Sequence, residues 1–135
     1  MRCLLLLLIL LAPYSVFSID DEMLAEALAY CEKNQLTANI CAWHKGQLAD
    51  KRLKATYQIQ YNRLTDKKDR ARLETAQREW EKYRDANCYY EARGSVEDGG
   101  TKFPMEFDLC IERLTDHRTG MIQEFIACDV NGCPE

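Results

Sequence analysis

The reading of residues 73–90, "LETAQREWEKYRDANCYY", decides the fold. Leu73, Ala76, Trp80, Tyr83, Asn87 and Tyr90 recur at spacings of three, four, three, four and three. That rhythm puts all six on one stripe of an α-helix and leaves the intervening charged residues for solvent. A catalytic cluster needs no such period. The stripe therefore reads as the seam of a helical bundle, with Trp80 and Tyr83 packed in the core. Tyr89 and Tyr90 are consecutive and point about 100° apart on a helix. At least one of them then faces outward, where a phenol suits a protein interface.

Upstream, Asp66 stands where an N-cap would start this helix. A second long helix precedes it, running from Thr37 as N-cap to about Leu64. Ile40, Trp43, Leu48, Leu53, Tyr57, Tyr61 and Leu64 supply its apolar face. Gly46 weakens its first third, by up to ~1 kcal/mol relative to Ala. A shorter first helix spans about 20–34. Asp20, Asp21 and Glu22 sit at its start, where negative charge suits the dipole, and Leu24, Ala27, Leu28 and Cys31 share a face. Downstream, Arg93-Gly94-Ser95 ends the seam helix, and "GSVEDGGTKFP" leads to a fourth. Pro104 fits its first turn. Phe107, Cys110, Leu114, Met121 and Phe125 line its apolar side, and Gly120 marks a point where it could kink. No alternating β-branched run is long enough to build a sheet. The expected fold is all-α: a small antiparallel bundle of about four helices with two long central ones, stapled by disulfides.

The staples follow from processing and cysteine spacing. Residues 1–18, "MRCLLLLLILLAPYSVFS", have a basic Arg2, an apolar run and small Val16 and Ser18 at the positions a signal peptidase reads. Cleavage after Ser18 leaves one domain, residues 19–135. The apolar run falls short of the roughly 20 residues a membrane-spanning helix needs, so no stable membrane anchor is expected. Loss of Cys3 with the signal leaves six cysteines in an exported chain, which points to disulfides. Six cysteines can pair in many ways, and local spacing favours one set. Cys128–Cys133 encloses the turn sequence "DVNG", Cys31–Cys41 closes a helix corner, and Cys88–Cys110 spans the Gly-rich loop. Each bridge is worth roughly 2–4 kcal/mol.

Charge and motif content weigh against several functions. Residues 19–43 carry one cation against five anions, 44–85 twelve against seven, and 86–135 four against ten. Anions interleaved through the basic middle do not make a nucleic-acid groove, and the acidic last third suits a basic partner. Charge runs of this kind mostly solvate helix faces. His44 lies three residues after Cys41, but no second ligand pair at zinc spacing accompanies it, and no metal or cofactor is expected. His117 reads as a helix-face residue. No nucleophile elbow, phosphate-binding Gly-rich loop or H-E-x-x-H motif occurs. Gly99-Gly100 alone signals a loop needing backbone freedom. No catalytic residue is assigned, and the chain is read as a non-enzyme.

"LETAQREWEKYRDANC", then "GGT", then "CIERLTDHRTGMI" resembles the LprI-like lysozyme inhibitor family of exported bacterial proteins. The family pattern falls on Cys31 and Cys41, then Gln77, Trp80, Arg84, Asp85 and Cys88. Gly99, Gly100 and Thr101 follow, and Cys110, Leu114, Thr115 and Arg118 close it. The resemblance implies a helical, disulfide-bonded envelope domain that binds a protein partner, a host lysozyme by the family's name. The chain departs from the pattern in lacking a lipoprotein cysteine after the signal, which implies a soluble periplasmic or secreted protein, and in its third cysteine pair. The expected contact surface is Tyr89 or Tyr90 with Glu97 and Asp98. The alternative is a non-catalytic periplasmic interaction module, an accessory subunit or an immunity protein for an envelope toxin. Oligomeric state is not legible in the sequence.

Overall fold

A computed structural model describes residues 21–95 and 97–131, the last three as backbone alone. Four helices account for most of them: α1 (Asp21–Ala29), α2 (Gln35–Arg63), α3 (Lys67–Glu91) and α4 (Phe103–Asn131). No strand occurs among the described residues. The all-α expectation holds, with α4 as long as α2. The signal segment and Cys133, hence the Cys128–Cys133 bridge, lie outside the described residues.

Local chemistry sets the helix boundaries. The first helix stops at Ala29 rather than at residue 34, and a turn reverses the chain. Asn34, not Thr37, is the N-cap of α2. Its side chain accepts from Thr37 N at 3.0 Å, while Thr37 Oγ1 accepts from Asn34 N at 3.2 Å. Thr37 is the reciprocal member of a capping box, which satisfies two otherwise orphaned N–H groups. Asp66 caps α3 as expected, accepting from Lys68 N at 2.7 Å. Pro104 sits in the first turn of α4, and α4 runs without a break through Gly120.

α2 and α4 lie side by side and parallel. Asn39 meets Thr101, Gly46 approaches Ile111, and Arg52 meets Asp116. Their seam is built from small residues. Ala42, Gly46, Ala49, Leu53, Thr56 and Gln60 are the buried stripe of α2, facing Ile111, Thr115, Thr119 and Ile122. The expected face of α2 holds at Ile40 and Leu53, both buried, and is displaced at Trp43 and Leu48. Trp43 and Leu48 are more than a third exposed, because small side chains let the two backbones approach while bulky ones are pushed to the flanks. A Cβ on Gly46 would lie 3.7 Å from the Asp108 carbonyl oxygen, which shows how near the backbones come.

α3 runs antiparallel to both and packs on α4. Here the seam expectation fails. Cys88 is the one buried residue of α3; Tyr83 is 59% exposed, Tyr90 82%, and Trp80 only half-buried. The stripe that meets α4 is Gln77, Trp80, Arg84 and Cys88; it shares Trp80 with the expected one and otherwise lies about one residue step, ~100°, around the helix from Ala76, Tyr83 and Asn87. The physical reason is that α3 docks on one neighbour through a disulfide and polar contacts, so an apolar stripe does not need to close against two helices.

Candidate functional site

Six residues of the sequence pattern converge where α3 crosses α4. The Arg84 side chain, 14% exposed, donates through Nε to Asp85 Oδ1 at 2.9 Å and through Nη1 to Asp50 Oδ1 at 3.0 Å and Thr115 Oγ1 at 3.2 Å. Its guanidinium lies 5.2 Å from the centre of the Trp80 ring, and that of Arg118 lies 5.8 Å from the same ring. Arg118 Nε donates to Gln77 Oε1 at 3.2 Å. Gln77, Trp80, Arg84, Asp85, Thr115 and Arg118 thus form a clasp tying α3 to α4, with Asp50 carrying it on to α2. Leu114 packs beside it, against the cluster of Cys88, Cys110 and Ile111. Asp50 was not legible as a member, since nothing in a charged helix singles out one carboxylate. Its carboxylates, Asp85 and Asp50, and the Thr115 hydroxyl are all engaged with the Arg84 guanidinium, so the clasp holds the helices in position.

The loop between α3 and α4 accounts for the remaining motif residues. Gly100 has φ +66°, a conformation side chains disfavour, and a Cβ on Gly99 would fall 2.5 Å from the Phe103 side chain. The glycine pair therefore lets the loop turn tightly over Phe103, which is buried. The Thr101 carbonyl accepts from Asn39 Nδ2 at 3.1 Å, docking the loop on α2.

The four expected contact residues divide. Tyr90 and Glu97 project into solvent. The Tyr89 ring stacks on Phe103 at 6.0 Å and lies tilted against Phe107 at 4.8 Å, so part of it supports the loop. Asp98 is exposed too, but its carboxylate is engaged within the loop: Oδ1 accepts from both the N–H and the hydroxyl of Ser95. Those bonds, the hydroxyl first, hold its carboxyl below the usual carboxylate range. Asp98 shapes the loop, Glu97 is an outward group of it, and Tyr90 faces solvent from the last turn of α3.

The fold gathers charge. The acidic segment around α1 and the acidic loop lie at one end, joined by Asn39–Thr101 and by Gln35 beside Met105. The opposite end carries Arg63, Lys67, Lys68, Arg70 and Arg72 around the α2–α3 turn. Between α2 and α3 a polar groove of about 460 Å³ holds Asp50, Lys54, Tyr57, Glu74 and Glu81. Burial first, then Glu74, push the Tyr57 hydroxyl upward in pKa. Cys41 is bridged to Cys31, with S–S 2.06 Å, so it is no thiol partner for His44. Cys88 is bridged to Cys110 at 2.05 Å. No cluster of metal-ligating side chains occurs among the described residues.

Residues 29–121 match the family described as lysozyme inhibitor LprI. The chain belongs to the LprI family. The match contains both described disulfides, the clasp and the Gly-Gly-Thr loop, and ends at Met121. An uncharacterized protein of Rhizobium meliloti (strain 1021) is 34% identical over 110 residues, covering 71% of this chain and 78% of its own. No solved structure matches. The residues that carry the sequence resemblance are thus the ones that brace α3 and fold the loop.

Proposed function

We propose that this protein is an exported, non-catalytic binder that blocks a lysozyme through its acidic loop end. Membership of the LprI family over residues 29–121 carries this reading. The arrangement of the loop end supports it. Tyr90 projects from the last turn of α3 and Glu97 from the loop that follows, which is held by the Cys88–Cys110 bridge, the Ser95–Asp98 bonds and Phe103. A pre-formed loop loses little freedom on binding, and negative charge around it steers a basic enzyme toward it. No helix among the described residues is long and apolar enough to cross a membrane, in keeping with release after cleavage near Ser18.

Purified residues 19–135 are expected to slow cell-wall lysis by a basic lysozyme, with inhibition weakening as salt rises. Tyr90→Ala and Glu97→Lys should each weaken inhibition without altering the melting temperature. Absence of inhibition at micromolar excess over several lysozymes refutes the reading. A pull-down from envelope extract that returns one bacterial protein and no lysozyme replaces it with an interaction module for that protein.

A further inference from the structure

At the end of the bundle away from the loop, α2, α3 and α4 enclose a groove of about 500 Å³. Its apolar walls are Leu64, Leu73, Ala76, Met121, Ile122 and Phe125. Phe125 is 61% exposed, so a large aromatic side chain stands open to water at the groove's edge. A core built only for stability would close over it.

Two polar groups in this groove lack the partners their burial calls for. Gln60 is 8% exposed, and its Oε1 accepts no hydrogen bond. A buried amide oxygen left without a donor is costly and rare. Arg118 is half-buried, and burial lowers its pKa. Its guanidinium has the Gln77 hydrogen bond and the Trp80 ring, but no carboxylate partner among the described residues. The rim cation Arg72 is different, being paired with Asp69 at 2.7 Å. An apolar groove thus contains one uncompensated cation and one unmet acceptor.

We propose that this groove binds a single-chain amphiphilic anion, its carboxylate or phosphate head on Arg118 and its apolar chain along Leu73, Met121 and Phe125. A hydroxyl or amide N–H beside the head donates to Gln60 Oε1. A guanidinium matches carboxylate and phosphate with paired hydrogen bonds. The volume is that of a small-ligand site lined by apolar groups with a few polar ones. A cationic amphiphile would add a second positive charge beside Arg118, and a plain hydrocarbon would leave both polar groups unmet. The site is remote from the loop, so it does not depend on the lysozyme reading.

The test uses residues 19–135 and N-dodecanoylglycine, which carries a carboxylate, an amide N–H and a chain, kept below its micelle concentration. Calorimetry should show saturable one-to-one binding, and NMR should show shifts at Gln60, Leu73, Met121 and Phe125. Dodecanoate, lacking the amide, should bind more weakly, and dodecyltrimethylammonium should not bind. Arg118→Gln should reduce affinity about tenfold or more, the usual worth of a charged hydrogen-bonded pair. Because Arg118 also braces Trp80, Phe125→Glu provides the second variant: it puts a carboxylate at the exposed edge of the groove, two turns from Arg118 and outside the clasp, and should abolish binding of the anion with the melting temperature unchanged. Equal binding of the cationic and anionic amphiphiles, unchanged binding by Phe125→Glu, or no binding of N-dodecanoylglycine overturns the proposal.

Discussion

At the loop end, the Cys31–Cys41 and Cys88–Cys110 bridges, the rings of Tyr89, Phe103 and Phe107, and the Asn39–Thr101 hydrogen bond all lie within a few turns of one another. At the turn end, the chain reverses with the Asp66 cap, an Arg70 hydrogen bond to the Leu64 carbonyl at 2.7 Å, and Arg70 over the Tyr61 ring. The first end contains an irregular acidic loop and is cross-linked; the second is a short helical turn that needs no bridge. An irregular segment that must keep one shape for recognition has few backbone hydrogen bonds of its own, so covalent and aromatic support replaces them. The turn end instead leaves apolar and charged groups open.

Breaking the loop end has the largest expected effect. Replacing Cys88 and Cys110 together by Ala should lower stability by about 3 kcal/mol, measured by urea unfolding. Hydrogen exchange should then accelerate across residues 93–107 and stay unchanged around 60–73. Equal acceleration at both ends would mean that the two are not held separately.

Between the ends, the clasp offers a sharper contrast. Arg84→Ala strands Thr115 and loosens α3, at a cost of about 2 kcal/mol. Arg52→Ala removes a bidentate pair with Asp116 whose side chains are both nearly half-exposed, and should cost less than ~1 kcal/mol. Similar losses in the two variants would show that burial of Arg84 contributes nothing.

Asp108 gives a pH signature on α4. Burial raises its pKa from 3.8 to about 6, so folding favours its protonated form. Its contribution is complete below the unfolded pKa and is lost as pH rises through about 6. Asp108→Asn should therefore stabilise the protein at pH 7 by about 1 kcal/mol, the figure being reduced because the group is half-exposed. It should have no effect near pH 3.5. Melting curves at both pH values provide the check.

The smallest effect falls toward the turn end. A Cβ at Gly120 meets no atom within 4 Å, so Gly120→Ala should add about 0.5–1 kcal/mol through helix propensity alone. A loss instead would mean that α4 needs the glycine for bending there.

Much of the architecture is local and was legible for that reason. Asp66 before Lys67 and Pro104 after Phe103 mark helix starts through their own side chains and ring. Cys31–Cys41 and Cys88–Cys110 are separated by only 10 and 22 residues, so spacing sufficed to pair them. The displaced cap at Asn34 was a near miss, because Asn34 and Thr37 bond each other and either can look like the cap.

The face of α3 was not legible. Its stripe of Leu73, Ala76, Trp80 and Tyr83 has a clean period, but period reports that a helix is amphipathic, not which neighbour it meets. The contact with α4 runs through Arg84, Gln77 and Cys88, two of them polar, and polar contacts carry no hydrophobic signal. The clasp residues could be named from family resemblance, while their shared ring at Trp80 and the reach to Asp50 came only from packing.

By itself, the sequence determined the four helices, the caps and first turns of α3 and α4, the two described bridges and the family, since each depends on neighbours along the chain or on spacing. Only the tertiary structure decided that Tyr83 lies outside and the Asp98 carboxylate bonds Ser95, that the acidic loop docks on the start of α2, and that Arg118 and Gln60 share an apolar groove. Those outcomes depend on how helices rotate against one another, and that rotation is set by long-range contacts which no local pattern encodes.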